Sequence, residues 1–396
     1  MLYDFCLLLG AIYSIPKWLI QKKYRGSRLQ RFGFRLPNPS SKTPSIWIHM
    51  VSVGETKAMI PIYERLRTKY PTGAFFLSST TKTGHNEAKR SLPNADGYFF
   101  LPLDLSWIMR RLVLRLKPDL LLLSESDFWL NLISEVKKQK GKVVLLNGKI
   151  SARSSARFAK FPSFSKRIFA QIDRLCIQNT EYATRFQSLY IPPEKITITG
   201  NLKLSIPSQK LTPKEMQTWR DHFGLLPTDR VITIGSTHEG EEEILLPHIQ
   251  DAKVLLAPRR PERFAQVKKS LEKHPYPNVQ LVDQMGILHI CYQLSDLAIV
   301  GGSFLPGTGG HNIFEPIQAG IPVLFGPHME TQKELVDLVL NAQAGIQTPH
   351  QDLAKAIPKA LILAQNASDL AARGSQPLEA TWEALQPYLL SYTQTK

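Results

Sequence analysis

From about residue 45 the chain alternates between short apolar runs and longer, partly polar stretches. The runs Ile46–Val51, Ala74–Ser78, Tyr98–Leu101, Leu120–Leu123, Val143–Asn147 and Arg174–Gln178 are bounded by loop residues. They read as strands buried on both faces. Thr56–Lys69, Gly84–Ser91, Trp107–Arg115, Trp129–Lys138, Phe164–Ile172 and Thr180–Leu189 lie between them and read as helices. Such alternation predicts a parallel, doubly wound sheet. Ile196 to Asn201 reads as a closing strand and turn. A polar, proline-bearing stretch from Ser205 to Pro213 follows and marks a domain boundary. The alternation then restarts, with strands expected at Val231–Gly235, Lys253–Ala257, Val279–Val282, Leu297–Val300 and Pro322–Phe325. Helices are expected at Gly240–Gln250, Glu262–Lys273, Met285–Gln293 and Asn312–Ala319, and the carboxyl-terminal segment Leu353–Leu390 reads helical.

The expected architecture is therefore α/β, with two Rossmann-like doubly wound domains facing a cleft. Residues 36–205 form the first domain, 206–375 the second, and 376–396 a terminal helix returning to the first. Residues 1–35 stand apart. Phe5 to Ile15 is apolar except for Ser14, then come Pro16, Lys17, Trp18 and the cations Lys22, Lys23, Arg25, Arg28, Arg31 and Arg35. The run is shorter than the roughly 20 residues of a spanning helix, and no cleavage site follows it. It reads as a membrane-anchoring helix, either a short span or an interfacial anchor with Trp18 and Tyr24 at headgroup depth. The plain alternative is a terminal core helix.

Composition changes the picture in one respect. Of 396 residues, 49 are Lys or Arg and 33 are Asp or Glu, a net charge of +16. Such a balance points to anionic partners. No zinc-finger spacing or aromatic-rich RNA-binding signature is present, which ranks nucleic acid last. Three isolated cysteines, Cys6, Cys176 and Cys291, give neither a disulfide framework nor a metal site.

The candidate chemistry sits at strand ends, where open α/β sheets bind ligands. After the first strand comes Ser52-Val53-Gly54-Glu55. Glu55 is placed either to take a proton from a hydroxyl or merely to complement a helix dipole. Ser124-Glu125-Ser126-Asp127-Phe128-Trp129 follows the fourth strand. Ser126 or Asp127 fits an N-cap; Glu125 precedes any cap and is expected to face the cleft. Asn147 to Ser154 concentrates cations and hydroxyls, as an anion site or a solvated loop. Gly200-Asn201-Leu202-Lys203 brings a lysine that can offset charge on a leaving phosphate.

In the second half, Gly235-Ser236-Thr237-His238-Glu239 precedes the acids Glu241 to Glu243, which read as first-turn helix charges. Pro258-Arg259-Arg260-Pro261-Glu262-Arg263 offers arginines for a phosphate. Gly301-Gly302-Ser303 and Gly309-Gly310-His311-Asn312-Ile313-Phe314-Glu315 offer close backbone approach and free N–H groups. No Gly-x-Gly-x-x-Gly follows the first strand and no ATPase-type phosphate loop is present.

These strings, taken in order, resemble the transferases that add 3-deoxy-D-manno-octulosonic acid (Kdo) to lipid A. The likeness runs from Trp47-Ile48-His49 to Gly309-Gly310-His311-Asn312 and also covers the amino-terminal anchor. It implies an inverting glycosyltransferase of the two-Rossmann (GT-B) type, needing neither metal nor cofactor. The implied donor is CMP-Kdo and the implied acceptor a lipid A precursor, lipid IVA, on an anionic membrane surface. The implied location is the cytoplasmic face of a bacterial inner membrane. Glu55 matches the family's general base, and Glu125 and Lys203 match its transition-state stabilisers. Pro258 and Arg259, then Gly286, Ile287 and Leu288, then Asn312, Ile313, Phe314 and Glu315 match segments that contact CMP. Leu130, where the family usually has proline, and Ala152, where it often has glutamate, depart from the pattern. The alternative is another membrane-associated GT-B enzyme that uses a nucleotide-sugar and a lipid-linked acceptor.

Overall fold

Every strand pair among the described residues is parallel. The computed structural model describes residues 3–10, 26–206 and 210–390. It resolves into two units, Met1–Ile206 with Ser375–Lys396, and Pro207–Gly374.

The first unit carries strands β1 (Ser45–His49), β2 (Ala74–Ser79), β3 (Gly97–Phe100), β4 (Leu120–Ser124), β5 (Lys142–Gly148), β6 (Arg174–Ile177) and β7 (Ile196–Ile198). Their order in the sheet is β3-β2-β1-β4-β5-β6-β7. Trp47, Phe76, Leu121 and Leu123 enter one core. Ile46, Ile48, Phe75, Leu77, Leu120 and Leu122 enter the other, on the opposite face. That two-period split explains why the strands read as unbroken apolar runs. Each of the leucines 120 to 123 is fully buried, worth about 1.5–3 kcal/mol apiece relative to exposure. The helix Gln376–Leu390 closes the second core: Leu385 and Leu389 lie in it, and Leu389 O accepts from Tyr70 Oη at 2.8 Å.

The second unit carries β8 (Val231–Thr237), β9 (Lys253–Pro258), β10 (Val279–Leu281), β11 (Leu297–Val300), β12 (Val323–Phe325) and β13 (Gly345–Gln347), in the order β10-β9-β8-β11-β12-β13. Both sheets reverse direction of growth at one place, between β1 and β4 and between β8 and β11. In open α/β sheets such a reversal, at the carboxyl ends of the strands, is where ligands bind.

The amino-terminal segment is described only in part. Residues 3–10 form a helix, and its polar side chains tie it to the first unit. Tyr3 Oη donates to Asp104 Oδ2 at 2.9 Å. Asp4 Oδ1 accepts from Ser106 N at 3.0 Å and from Asn131 Nδ2 at 2.7 Å. No helix among the described residues is long and apolar enough to cross a membrane. Pro16 to Arg25, including Trp18, Lys22, Lys23 and Tyr24, lie outside the described residues.

Candidate functional site

Glu55 stands two residues inside the helix Val53–Lys69, directly after β1. The sequence Ser-x-x-Glu makes a cap here, displaced by one residue from a regular capping box. Ser52 Oγ accepts from Glu55 N at 3.3 Å and donates to Glu55 Oε1 at 3.0 Å, while Glu55 Oε2 accepts from Val51 N at 2.9 Å. Glu55 thus does support the helix start, as its plain structural reading held. Each carboxylate oxygen keeps lone-pair capacity beyond these bonds. The residue is 7 % exposed. Burial pushes its pKa above the ordinary carboxylate value, opposed by the Val51 N–H and reinforced by the nearby charges of Glu125 and Asp127. A carboxyl raised in this way is a better proton acceptor than an ordinary one.

Glu125 sits at the end of β4, across the switch point. It has φ +58°, a left-handed conformation that costs a bulky residue about 1–2 kcal/mol. Its backbone is held in the turn by Glu125 N to Leu146 O at 3.0 Å and Lys149 N to Glu125 O at 3.1 Å. The side chain lies between two ammonium groups, Lys149 Nζ at 2.6 Å and Lys203 Nζ at 2.7 Å. Burial works to raise the Glu125 pKa, yet Lys203 and Lys149 together hold it below the usual value. Glu55 and Glu125 are therefore pushed in opposite directions: one poised to take a proton, the other held ionised between cations.

Asn147, at the end of β5 with φ +54°, ties the two lysine loops together. Its Oδ1 accepts from Leu202 N at 3.0 Å and its Nδ2 approaches Glu125 Oε1 at 3.5 Å. Asn201 Oδ1 accepts from Lys203 N at 3.0 Å. A Cβ on Gly54 would lie 3.7 Å from Lys203 Nζ, so the ammonium reaches the turn that carries Glu55. The structure thus joins Glu55, Glu125 and Lys203, and adds Lys149. Ser151 N-caps the helix Ala152–Ala159, and Arg153 in its first turn is exposed.

The loop after β4 differs from its expected role. The helix Leu130–Lys138 starts at N-cap Trp129 without a side-chain cap, so neither Ser126 nor Asp127 caps it. Asp127 Oδ2 instead meets His49 Nε2 at 3.0 Å and accepts from Trp129 Nε1 at 3.2 Å.

In the second unit the largest departure concerns Glu241. It reads as a helix-end charge but is fully buried. Its Oε2 accepts from His238 N at 2.9 Å and Gly302 N at 2.6 Å, and its Oε1 from Ser303 N at 3.1 Å and Phe304 N at 3.0 Å. One carboxylate thereby shapes both loops of the switch point. Gly301 and Gly302 are required there: a Cβ on Gly301 would lie 2.8 Å from Thr237 Cα, and one on Gly302, whose φ is +69°, 2.6 Å from His311 Cδ2. Glu242 is likewise committed, accepting from Thr237 Oγ1 at 2.6 Å and pairing with Arg263 at 2.9 Å. Of the three acids, Glu243 alone is an exposed first-turn charge.

Pro258 ends β9 and is buried, whereas Arg259 is exposed and its N–H donates to Thr237 O at 3.1 Å. The Arg259 charge acts on both His238 and His311, whose imidazoles stack with their Nε2 atoms 2.8 Å apart. Burial holds His311 down to about 4. Exposed Asn312 follows, its Oδ1 accepting from Phe314 N at 3.0 Å. Arg259 and Asn312 therefore stand on one rim. Ile313 and Phe314 are buried side chains, which leaves only their backbone to offer to a ligand. Glu315 is half-buried beside the buried Tyr292 phenol, which burial and the Glu315 charge both push up. Gly286 is exposed with φ +88°, and Ile287 is core. The Leu288 side chain reaches the Gly235 position at the end of β8. No group of three or more His, Cys, Asp or Glu side chains able to hold a metal occurs among the described residues.

Comparison with known proteins bears on the family and the fold. The family model described as 3-Deoxy-D-manno-octulosonic-acid transferase (kdotransferase) matches residues 27–206. A 3-deoxy-D-manno-octulosonic acid transferase of Chlamydia pneumoniae is 34% identical over 367 residues, covering 87% of this chain and 84% of the relative. The fold is shared with a UDP-GlcNAc 2-epimerase from Neisseria meningitidis (TM-score 0.60, 15% identity, 87% of this chain and 99% of that one). It is shared also with a glycosyltransferase from Rickettsia africae (TM-score 0.56, 14% identity, 91% of this chain and 100% of that one). Those two similarities concern architecture alone. The identity to the Chlamydia enzyme, spread across both units and over most of each chain, goes further: this protein belongs to the 3-deoxy-D-manno-octulosonic acid transferase family.

Proposed function

We propose that this protein transfers Kdo from CMP-Kdo to a hydroxyl of a lipid A precursor, with inversion and without a metal. The acceptor oxygen attacks the anomeric carbon of Kdo as the bond from that carbon to the CMP phosphate breaks. The hydroxyl proton passes to Glu55, and CMP departs with the bonding electrons. Family membership supports the Kdo chemistry. The observation that carries the mechanism is Glu55, a buried carboxylate with a raised pKa at the switch point of the first sheet. A single displacement needs one base, and cations where negative charge grows on the phosphate. Lys203, aimed by Glu125 against Gly54, is the cation assigned to that charge. Arg259 and the segment Asn312–Glu315 are assigned to CMP.

The proposed place of action is an anionic membrane surface, on the cytoplasmic face of a bacterial inner membrane. Phe5 is 58% exposed and Leu9 52% on the helix over residues 3–10, and Trp107 is 49% exposed. The bond from Ser106 N to Asp4 brings that helix to the start of Ser106–Leu116, which also carries exposed Arg110 and Arg111. Apolar side chains beside arginines suit a headgroup layer. Mass spectrometry of the product formed from CMP-Kdo and lipid IVA tests the reaction. Transfer is expected; a shift in melting temperature with UDP but not CMP, and no transfer, would favour the UDP-sugar enzyme instead.

A further inference from the structure

Beside Glu55 lies a second carboxylate that the mechanism leaves unused. His49 is fully buried at the end of β1, in register with Ser78 on β2. The indole of Trp47 donates to Ser78 Oγ at 2.7 Å, and Ser78 Oγ meets His49 Nδ1 at 2.8 Å. An indole N–H can only donate. An ionised carboxylate can only accept, so the ring hydrogen stands on Nε2, 3.0 Å from Asp127 Oδ2, and in the neutral imidazole Nδ1 is left to accept from the Ser78 hydroxyl. Trp129 Nε1 donates to the same oxygen at 3.2 Å. Ser78 is fully buried, so this Ser-His-Asp chain holds no accessible nucleophile. What it does is lock one oxygen of a half-buried aspartate. The other, Oδ1, makes no hydrogen bond or ion pair among the described residues. Asp127 also stands near enough to Glu55 for its charge to act on that carboxyl.

A carboxylate fixed by two N–H donors, with one oxygen open beside the base, is a ready hydrogen-bond acceptor. We propose that Asp127 is a specificity-determining residue: its Oδ1 accepts a hydrogen bond from a second hydroxyl of the acceptor sugar, near the hydroxyl that Glu55 deprotonates. His49, Ser78, Trp47 and Trp129 are its positioning residues. This role rests on the acceptor being a sugar hydroxyl, as proposed above.

The test uses the full chain, CMP-Kdo, the lipid A precursor, and acceptor analogues lacking one hydroxyl at a time. Asp127→Asn keeps an oxygen for His49 and Trp129 and turns the open position into an NH2 that can only donate. A hydrogen bond to a charged group corresponds to about ten- to a hundredfold in binding. Asp127→Asn is expected to lose about that factor in kcat/KM for the parent acceptor, with KM for CMP-Kdo unchanged. One deoxygenated analogue is expected to cost the wild-type protein a similar factor and to cost Asp127→Asn nothing further. If Asp127→Asn melts too low to assay, Trp129→Phe, which removes one of the two donors, is expected to weaken the same discrimination. Equal penalties for every analogue in wild-type and variant overturn the role of Asp127 while leaving Kdo transfer intact. Absence of any transfer by the wild-type protein overturns the functional reading itself.

Discussion

Replacing Glu125 by glutamine removes the charge that lies between Lys149 and Lys203 while keeping the shape of the side chain. Two unit charges about 4 Å apart attract by about 1 kcal/mol in water and about 4 kcal/mol at an effective dielectric of 20. Glu125 is 7% exposed at its side chain, but Lys149 and Lys203 are 33% and 36% exposed, so water takes over part of each pairing. Each bridge is then worth about 1–2 kcal/mol, and Glu125→Gln should cost about 2–4 kcal/mol of stability in urea unfolding. The catalytic effect should be larger. With its partner neutral, Lys203 is no longer held against Gly54, and kcat should fall by about 10–100-fold. Lys203→Met, which deletes the cation, should fall by about 100–1,000-fold, the range seen for loss of one donor to a developing oxyanion. Because Glu125 acts through Lys203, the double variant should be no slower than Lys203→Met alone. Steady-state kinetics with CMP-Kdo and lipid IVA decide the matter: losses that multiply in the double variant would refute the reasoning. The backbone adds a separate check. Since residue 125 has φ +58°, Glu125→Gly should unfold at higher urea than Glu125→Ala, by about 1 kcal/mol; the reverse order would show the strain to be absent.

Two further predictions concern stability. Glu241→Ala strips the acceptor from four backbone N–H groups and should cost about 3–5 kcal/mol in urea unfolding; a cost below about 1 kcal/mol would show that the glycine loop holds its own shape. Burial raises Asp104 from 3.8 to about 7. Between those values the folded state binds its proton more tightly than the unfolded chain, so this group's contribution falls as pH rises from about 4 to 7. Asp104→Asn should flatten that decline in urea midpoints measured from about pH 4.5 to 8, and an unchanged slope would contradict the shift.

The strands were legible because doubly buried segments cannot alternate polar with apolar residues: Leu120 to Leu123 and Ala74 to Leu77 leave no other reading. The helix Pro213–His222 was hidden by its own start signal. Pro213 reads as a break, yet a proline suits the first helical position, and Thr212 with Glu215 forms the capping box in front of it. Glu125 was legible as an acid with no cap to make, and Lys203 as a cation at a turn, because local order carries both. Glu241 was misread because its partners, Gly302 to Phe304, come about sixty residues later. The setting of Asp127 was equally hidden. Ser78 meets His49 through the β1–β2 register, and Asp127 through the loop after β4, neither of which is a sequence neighbour. Local chemistry can be read from the chain; pairings created by strand order at a switch point cannot.

The central claim is that Glu55 takes the proton from the attacking hydroxyl. Its most direct test is the rate of Kdo transfer to lipid IVA by Glu55→Gln, measured at saturating CMP-Kdo beside the wild-type protein. The account predicts a fall in kcat of about 100–10,000-fold with KM for CMP-Kdo unchanged; transfer at near the wild-type rate would contradict it.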